Sequence, residues 1–250
     1  MSKSNLAGKT ILITGASSGI GRAIALNLAS YRTQLLLIGR NKKRLSHVAK
    51  EAMELGSKRS FIYVVNLEEE RDIRYFYTLV KKEGKTVDIL IHSAGEFVGA
   101  NIESSSTKDF DRLYKVNLRA PYLITKLFLS EIKKRPGQIV FINSSLGLKA
   151  KAGVSQYAGT KHALKALADS LRDEVNQDGV RVISVYPGTT ATSMQEYIAK
   201  TKGKKYRPDH LLQPADIAQM LITALSQART AEITDIMIRP FIKDIPTSRS

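Results

Sequence analysis

The chain has 250 residues, 43% of them hydrophobic and 25% charged, which is the composition of a globular protein that can bury a substantial core. It contains no cysteine, which excludes disulfides, thiolate metal sites and cysteine nucleophiles. The formal net charge is +16, but the basic clusters lack interleaved aromatic residues, so we interpret them as solvated surface and expect no nucleic-acid partner.

The chain shows no targeting signal that we recognise. Its first nine residues are polar and lack the apolar stretch of a signal peptide. No apolar run approaches the ~18 residues that a membrane span needs. We therefore expect a cytoplasmic protein without a membrane span.

Short apolar, β-branched runs alternate with longer amphipathic runs along the chain. The first kind predicts strands buried on both faces, at 10–14, 34–38, 61–65, 88–92, 138–143, 181–186 and 232–238. The second kind follows a 3.6-residue period and predicts helices at 20–30, 44–55, 68–82, 118–134, 156–177 and 214–226.

This alternation predicts an α/β fold with right-handed crossovers: a Rossmann-type, doubly wound parallel sheet of about seven strands with helices on both faces. Because no repeat or linker is visible, we predict one dinucleotide-binding and catalytic domain over residues 1–250. The stretch 188–213 is long, basic and weakly patterned, which is typical of a lid or substrate loop.

A glycine-rich turn follows the first predicted strand and opens the first helix. Its glycines allow a tight turn and a close approach of a ligand to the backbone, and the helix N-terminus supplies free N–H groups. The spacing is G-x-x-x-G-x-G instead of the common G-x-G-x-x-G, and a plain strand-to-helix turn is the alternative. We predict a pyrophosphate site at Gly15, Ser17, Ser18, Gly19, Ile20 and Gly21.

The residue after the second strand predicts the nucleotide. NAD-binding proteins usually place a carboxylate there for the ribose hydroxyls. This chain has Arg40 instead, whose planar guanidinium suits a 2′-phosphate, with Lys42 and Lys43 adding positive charge nearby. We predict NADP(H) as the cofactor, with a plain surface arginine as the alternative.

A tyrosine and a lysine at i and i+4 share one face of the fifth predicted helix. Tyr157 is a poor acid–base group at its ordinary pKa of ~10, and an ammonium at Lys161 should lower that pKa. Ser144 follows the fifth strand, where a hydroxyl can polarise a carbonyl. Asn117 is predicted at a helix start, where it either caps the helix or holds a water that relays protons to Lys161.

Assembled in this order, these residues resemble the short-chain dehydrogenase/reductase family, in its branch of similar length to this chain. The resemblance extends from Lys9 to about Pro240. It rests on Thr14-Gly15-x-x-x-Gly19-x-Gly21, Ala94-Gly95, Asn117, Ser144, Tyr157-x-x-x-Lys161 and Pro187-Gly188-x-x-x-Thr192.

The resemblance implies that Tyr157 is the catalytic acid/base, that Lys161 also binds the nicotinamide ribose, and that Ser144, not Ser145, positions the carbonyl. It implies a proton-relay role for Asn117 and no metal. The cofactor site it implies comprises Gly15, Ser17, Ser18, Gly19, Ile20, Gly21, Arg40, Asn66, Leu67, Ser93, Ala94, Gly95, Tyr157, Lys161, Pro187, Gly188 and Thr192.

The chain departs from the family pattern in three places. His92-Ser93 replaces an Asn-Asn pair that braces the central strand, so we expect an altered hydrogen bond with retained activity. Asn66 replaces an Asp that commonly meets the adenine. The stretch 236–241 lacks the glycine pair found near tetramer contacts, so a homodimer through the helices of Asn117 and Tyr157 and a homotetramer both stay open.

Loops after the strands should contact the substrate. The residues predicted there are Glu96, Phe97, Val98, Leu146, Leu148, Val154, Met194 and Tyr197. They are mostly apolar, which favours a hydrophobic ketone or secondary alcohol, although several of them could simply pack the lid. The basic lid leaves a 3-oxoacyl thioester open. The alternative to an enzyme is a non-catalytic NADP(H)-binding redox sensor or scaffold.

Overall fold

The computed structural model describes residues 5–201 and 203–242. Seven strands of these two ranges form one sheet: β1 Thr10–Thr14, β2 Gln34–Gly39, β3 Arg59–Val64, β4 Ile89–His92, β5 Gln138–Ile142, β6 Arg181–Pro187 and β7 Asp235–Ile238. Their order is β3-β2-β1-β4-β5-β6-β7, and every neighbouring pair is parallel. The predicted doubly wound parallel sheet is confirmed, with strand ends displaced by up to three residues.

Within the described part of the chain, eight α-helices connect or flank these strands: α1 Gly19–Ala29, α2 Lys42–Glu54, α3 Glu70–Lys82, α4 Thr107–Tyr114, α5 Ala120–Lys133, α6 Ser155–Val175, α7 Ser193–Thr201 and α8 Pro214–Leu225. A π-helical turn, Lys115–Arg119, joins α4 to α5. All six predicted helices are present. The sequence prediction missed α4 and α7 because they are short, at eight and nine residues, whereas a helical period needs about 11 residues to be recognised. Each buries one residue, Leu113 and Ala199 respectively.

The prediction of a weakly patterned loop at 188–213 is therefore wrong in part. This stretch contains α7 and a short 3₁₀ helix, Pro208–His210. A bridge between Thr190 and Leu212 ties the two ends of the stretch together. The segment is thus a folded excursion from the sheet and not an extended loop.

The apolar residues of the strands divide between the two faces of the sheet. Ile11 and Ile13 pack with α1 and α8 side chains on one face, whereas Leu12 packs with α3, α5 and α6 side chains on the other. Successive strand residues point to opposite faces, so burial of both faces requires an apolar residue at nearly every position. The continuous apolar runs in the sequence have this cause.

The chain order reverses between β1 and β4, which lie side by side at the centre of the sheet. From β1 the chain moves outward to β2 and β3, then returns to β4 on the other side of β1. The loops after β1 and β4 consequently diverge and leave a crevice at the carboxyl ends of the strands. Between these two loops, Thr14 Oγ1 accepts hydrogen bonds from the backbone amides of Ser93 and Ala94, both at 3.1 Å.

Across the two described ranges, no helix is both long and apolar enough to cross a membrane.

Candidate active site

A cavity of ≈ 1020 Å³ opens at the crevice. Most of the predicted cofactor residues line it: Gly15, Ser17, Ser18, Gly19, Ile20, Gly21, Arg40, Asn66, Leu67, Ser93, Ala94, Gly95 and Thr192. Four predicted cofactor residues are not part of this lining: Tyr157, Lys161, Pro187 and Gly188. Gly188 packs instead against the chain after β7, where a Cβ on it would lie 3.0 Å from Cδ of Pro240.

The turn between β1 and α1 forms a cradle that only glycine permits. Gly15 has a φ of +67°, and a Cβ there would lie 2.7 Å from Cα of Ala94. A Cβ on Gly21 would lie 2.4 Å from the Gly15 carbonyl oxygen. Ser18, the N-cap of α1, makes no side-chain capping bond, and no acidic residue lies in the first turn. The free N–H groups therefore fit a pyrophosphate.

Arg40 lies at the cavity edge with 64% of its side chain exposed, and two carboxylates approach it. Its Nη2 lies 2.9 Å from Glu96 Oε1, and its Nη1 lies 3.6 Å from Glu68 Oε1. The sequence analysis found no carboxylate after β2, and that holds, but the loops after β3 and β4 supply two. The electrostatic environment of Arg40 is thus less positive than the sequence indicated.

Arg112 is a further cavity residue that the sequence analysis did not find. Its Nε lies 3.0 Å from Glu96 Oε2, so Glu96 joins Arg112 to Arg40. Arg112 belongs to α4, which the sequence analysis did not predict, and no motif marks it. Asp109, one turn earlier, lies 2.9 Å from Arg112 Nη2.

Asn117 lies inside the π-helical turn and is fully buried. Its predicted place at a helix start is wrong, and it caps neither α4 nor α5. Its Oδ1 accepts a hydrogen bond from the Glu96 amide at 2.8 Å, and its Nδ2 donates to the Glu96 carbonyl at 2.9 Å and to Thr160 Oγ1 at 3.2 Å. The side chain thus joins the loop after β4 to α6.

Tyr157, Lys161 and Ser144 meet at the start of α6. Tyr157 and Lys161 are buried, and Nζ of Lys161 lies 5.8 Å from the Tyr157 ring centroid. This Nζ also donates to the Ile142 carbonyl at 3.1 Å. The Ser144 side chain hydrogen-bonds to Tyr157, whereas Ser145 is exposed. The structure therefore brings together the three residues that the sequence analysis grouped.

The pKa of Tyr157 shifts in the direction opposite to the predicted one. Burial raises it to about 12, while the hydrogen bond with Ser144 acts to lower it. Burial also lowers the pKa of Lys161 to about 8. Desolvation outweighs the effect that the sequence assigned to the ammonium. At neutral pH Tyr157 is a protonated phenol that can donate a proton.

Apolar side chains cover the end of the cavity near Tyr157. Phe97, Val98, Met194 and Tyr197 all line it, as predicted for the substrate region. The Phe97 ring packs edge-on against the Tyr157 ring, with centroids 5.0 Å apart. Three other predicted substrate contacts are not part of the lining: Leu146, Leu148 and Val154.

His92 is a buried structural residue in β4. Its Nε2 lies 2.9 Å from Thr125 Oγ1, and its ring stacks on Phe141 with centroids 4.9 Å apart. Burial lowers its pKa to about 3, so the ring is neutral at physiological pH. The altered hydrogen bond expected at this position is therefore present, to a threonine of α5.

Asn143 is another residue that the sequence analysis missed. Its Nδ2 donates to the Lys161 carbonyl at 3.1 Å, which fixes α6 to the end of β5. Gly147 allows this approach, because a Cβ there would lie 2.5 Å from Asn143 Oδ1. Gly147 is the signal in the sequence that could have indicated this close contact.

Comparison with known proteins places the chain in a family. The model of the short chain dehydrogenase family matches residues 9–203, and the chain belongs to that family. An uncharacterized short-chain type dehydrogenase/reductase of Sinorhizobium fredii is 32% identical over 234 residues, which are 92% of this chain and 90% of that protein.

Solved structures of the family superpose closely on the chain. An alcohol dehydrogenase from the archaeon Thermococcus sibiricus, complexed with 5-hydroxy-NADP, is 26% identical with a TM-score of 0.85, over 95% of this chain and 98% of that one. A metagenomic short-chain oxidoreductase in complex with NADP is 29% identical with a TM-score of 0.81, over 95% and 99%. The protein is thus an oxidoreductase of the short-chain type.

Proposed function

We propose that the protein is an NADP(H)-dependent reductase that transfers a hydride between the nicotinamide and the carbon of a ketone or secondary alcohol, with Tyr157 as the proton donor. One observation carries the proposal. Phe97 lines the same cavity as the glycine cradle and Arg40, and its ring packs against the Tyr157 ring. Tyr157 is buried, as is Lys161, and it hydrogen-bonds to the half-buried Ser144.

The cofactor would be held by residues that line the cavity and by the buried Lys161, which is not part of the lining. The backbone of Gly15, Gly19 and Gly21 at the start of α1 would bind the pyrophosphate, and Arg40 the 2′-phosphate. Asn66 would meet the adenine, while Lys161 would bind the nicotinamide ribose. When bound, the nicotinamide supplies or accepts the hydride. The two NADP complexes among the related structures support this assignment.

Tyr157 would donate its proton to the substrate oxygen as the carbonyl carbon gains hydride. A pKa of about 12 keeps the phenol protonated at neutral pH, yet leaves it more acidic than an alcohol. Ser144 would donate a hydrogen bond to the same oxygen and stabilise the charge that develops on it. The protonated state of Tyr157 favours reduction over oxidation.

Asn117 would act as a positioning residue in the proton supply. Its side-chain amide is committed to Glu96 and Thr160, so any relay water would bind its backbone carbonyl. π-helical turns inside helices are frequent at functional sites, and this one places Asn117 beside Gly95. A Cβ added at Gly95 would lie 3.5 Å from Asn117 Oδ1 and 3.7 Å from Lys161 Nζ.

The substrate would be an apolar ketone. The cavity is lined by Phe97, Val98, Met194 and Tyr197, and such a lining selects hydrophobic groups. Phe97 also contacts the Tyr157 ring. We place the reaction in the cytoplasm, as the sequence analysis expects.

A turnover assay with a tyrosine variant tests the proposal. NADPH oxidation is followed with a panel of ketones, aldehydes and 3-oxoacyl thioesters, for the native protein and for Tyr157→Phe. We expect turnover of at least one carbonyl and a loss of about 10²-fold or more in kcat for the variant, with NADPH affinity retained. Tight NADPH binding without any turnover would favour the redox sensor instead.

We further propose that the protein forms a homo-oligomer through α4 and α5. Phe110 and Tyr114 of α4 are each 46% exposed, and Tyr122 of α5 is 50% exposed. Large exposed side chains clustered on neighbouring helices are typical of interfaces. Light scattering on the purified protein should give the mass of a dimer or tetramer, and a monomer mass would contradict the proposal.

A further inference from the structure

We infer that Glu96 is a specificity-determining residue, whose carboxylate competes with the 2′-phosphate of NADP(H) for Arg40 and so limits the preference for NADP(H) over NAD(H). The inference rests on the proposed function, since it concerns the affinity of the same site. It concerns a residue of the loop after β4, not of the loop after β2 from which nucleotide preference is usually inferred.

Both oxygens of the Glu96 carboxylate are engaged by arginines. Oε1 lies 2.9 Å from Arg40 Nη2, and Oε2 lies 3.0 Å from Arg112 Nε. The Glu96 side chain is 18% exposed, whereas Arg40 is 64% exposed. The carboxylate therefore lies in the cavity between the loop after β2 and helix α4, at the group predicted to bind the 2′-phosphate.

Glu96 is also held in place through its backbone. Asn117 accepts from its amide at 2.8 Å and donates to its carbonyl at 2.9 Å. With its backbone anchored by Asn117 and its second oxygen by Arg112, the carboxylate has little freedom to leave when a ligand arrives. A phosphate approaching Arg40 must displace the Glu96–Arg40 pair or lie beside a fixed negative charge.

The two nucleotides respond differently to this charge. A phosphate monoester carries about −1.5 to −2 charges at neutral pH, so a carboxylate beside it repels it. A ribose 2′-hydroxyl is neutral and can donate a hydrogen bond to the carboxylate. Glu96 therefore weakens NADP(H) binding while it tolerates or assists NAD(H).

Glu68 is the weaker second carboxylate at this site. Its Oε1 lies 3.6 Å from Arg40 Nη1, and its side chain is 27% exposed. The longer distance and greater exposure reduce its interaction with a phosphate bound at Arg40. The two carboxylates should thus affect nucleotide preference in the order Glu96, then Glu68.

Calorimetric titration with NADPH and NADH tests the inference without requiring a substrate. We compare the native protein with Glu96→Gln, which keeps the side-chain size, and with Glu68→Gln. Glu103→Gln is the matched control, because this substitution removes the same charge from the same β4–α4 connection. Glu103 is exposed and does not line the cavity. We expect Glu96→Gln to lower the Kd for NADPH by about tenfold and to leave the Kd for NADH unchanged or raised by less than about threefold.

We expect a smaller rise in the NADPH-to-NADH selectivity for Glu68→Gln and none for Glu103→Gln. Equal selectivity in Glu96→Gln and Glu103→Gln would overturn the inference and leave the proposed function intact. Failure of the native protein to bind either nucleotide would overturn both. If circular dichroism shows that Glu96→Gln does not fold, Glu96→Asp takes its place. Because the shorter aspartate side chain cannot reach both arginines, this variant should also raise the NADPH-to-NADH selectivity. An unchanged selectivity would overturn the inference.

Discussion

Acid should destabilise this fold through His92. The imidazole is buried against Phe141, and its Nδ1 has no hydrogen-bond partner among the described residues. Burial lowers its pKa from 6.5 to about 3. Between these two values the unfolded chain binds a proton that the folded chain does not. The contribution of His92 to the free energy of unfolding therefore has its full value above pH 6.5 and decreases as the pH falls from 6.5 towards about 3.

The magnitude follows from the width of the window that is crossed. Each pH unit below the unfolded pKa contributes about 1.4 kcal/mol while the folded ring stays neutral. Moving from about pH 7 to about pH 5 crosses roughly one and a half such units, so His92 alone should lower the unfolding free energy by about 2 kcal/mol. Carboxylates add their own contributions, but these are common to the native protein and its variants.

Urea unfolding at about pH 7 and about pH 5 isolates the contribution of His92. His92→Asn should be less stable than the native protein at both pH values, because packing is lost. Its decrease in unfolding free energy between about pH 7 and about pH 5, however, should be about 2 kcal/mol smaller than that of the native protein. His47→Asn is the control, because the His47 side chain is 76% exposed, and its loss should equal the native one. A His92→Asn variant as acid-sensitive as the native protein would refute the reasoning.

Three further outcomes are expected. Gly21→Ala should weaken NADPH binding by about tenfold or more in calorimetry, because its Cβ would lie 2.4 Å from the Gly15 carbonyl oxygen; Gly159→Ala, with no neighbour within 4 Å of its Cβ, should bind like the native protein. Reductase kcat/KM should fall as the pH rises through the Lys161 pKa of about 8, where this residue loses its proton. A flat pH profile there would count against a role of the Lys161 ammonium in the reaction. Phe97→Ala should lower the KM for bulky ketones relative to small ones, since the ring covers Tyr157, and an unchanged KM order would show that Phe97 does not limit substrate size.

The sheet and the position of the site could be predicted from the sequence because both depend on local patterns. A strand buried on two faces needs an apolar residue at almost every position, and residues 11–13 show this directly. The phosphate turn was recognisable because its glycines mark close backbone contacts, such as that of Gly15 with Ala94.

The remaining features depend on contacts between distant segments. Helix α4 has eight residues, too few for a helical period to be recognised, so Arg112 on it was not predicted at the site. Glu96 reaches Arg40 across the cavity, which no spacing indicates. The pKa of Tyr157 depends on its burial, and i,i+4 spacing to Lys161 shows the partner but not the surroundings.

The most direct test of the central claim is to follow the transferred hydrogen itself. NADPH that carries deuterium at both C4 positions is incubated with the best carbonyl from the panel, and the product is analysed by mass spectrometry. We predict one deuterium on the new carbinol carbon of each product molecule, formed by the native protein and lost together with turnover in Tyr157→Phe. Product without deuterium, or equal product from both proteins, would contradict hydride transfer with Tyr157 as the proton donor.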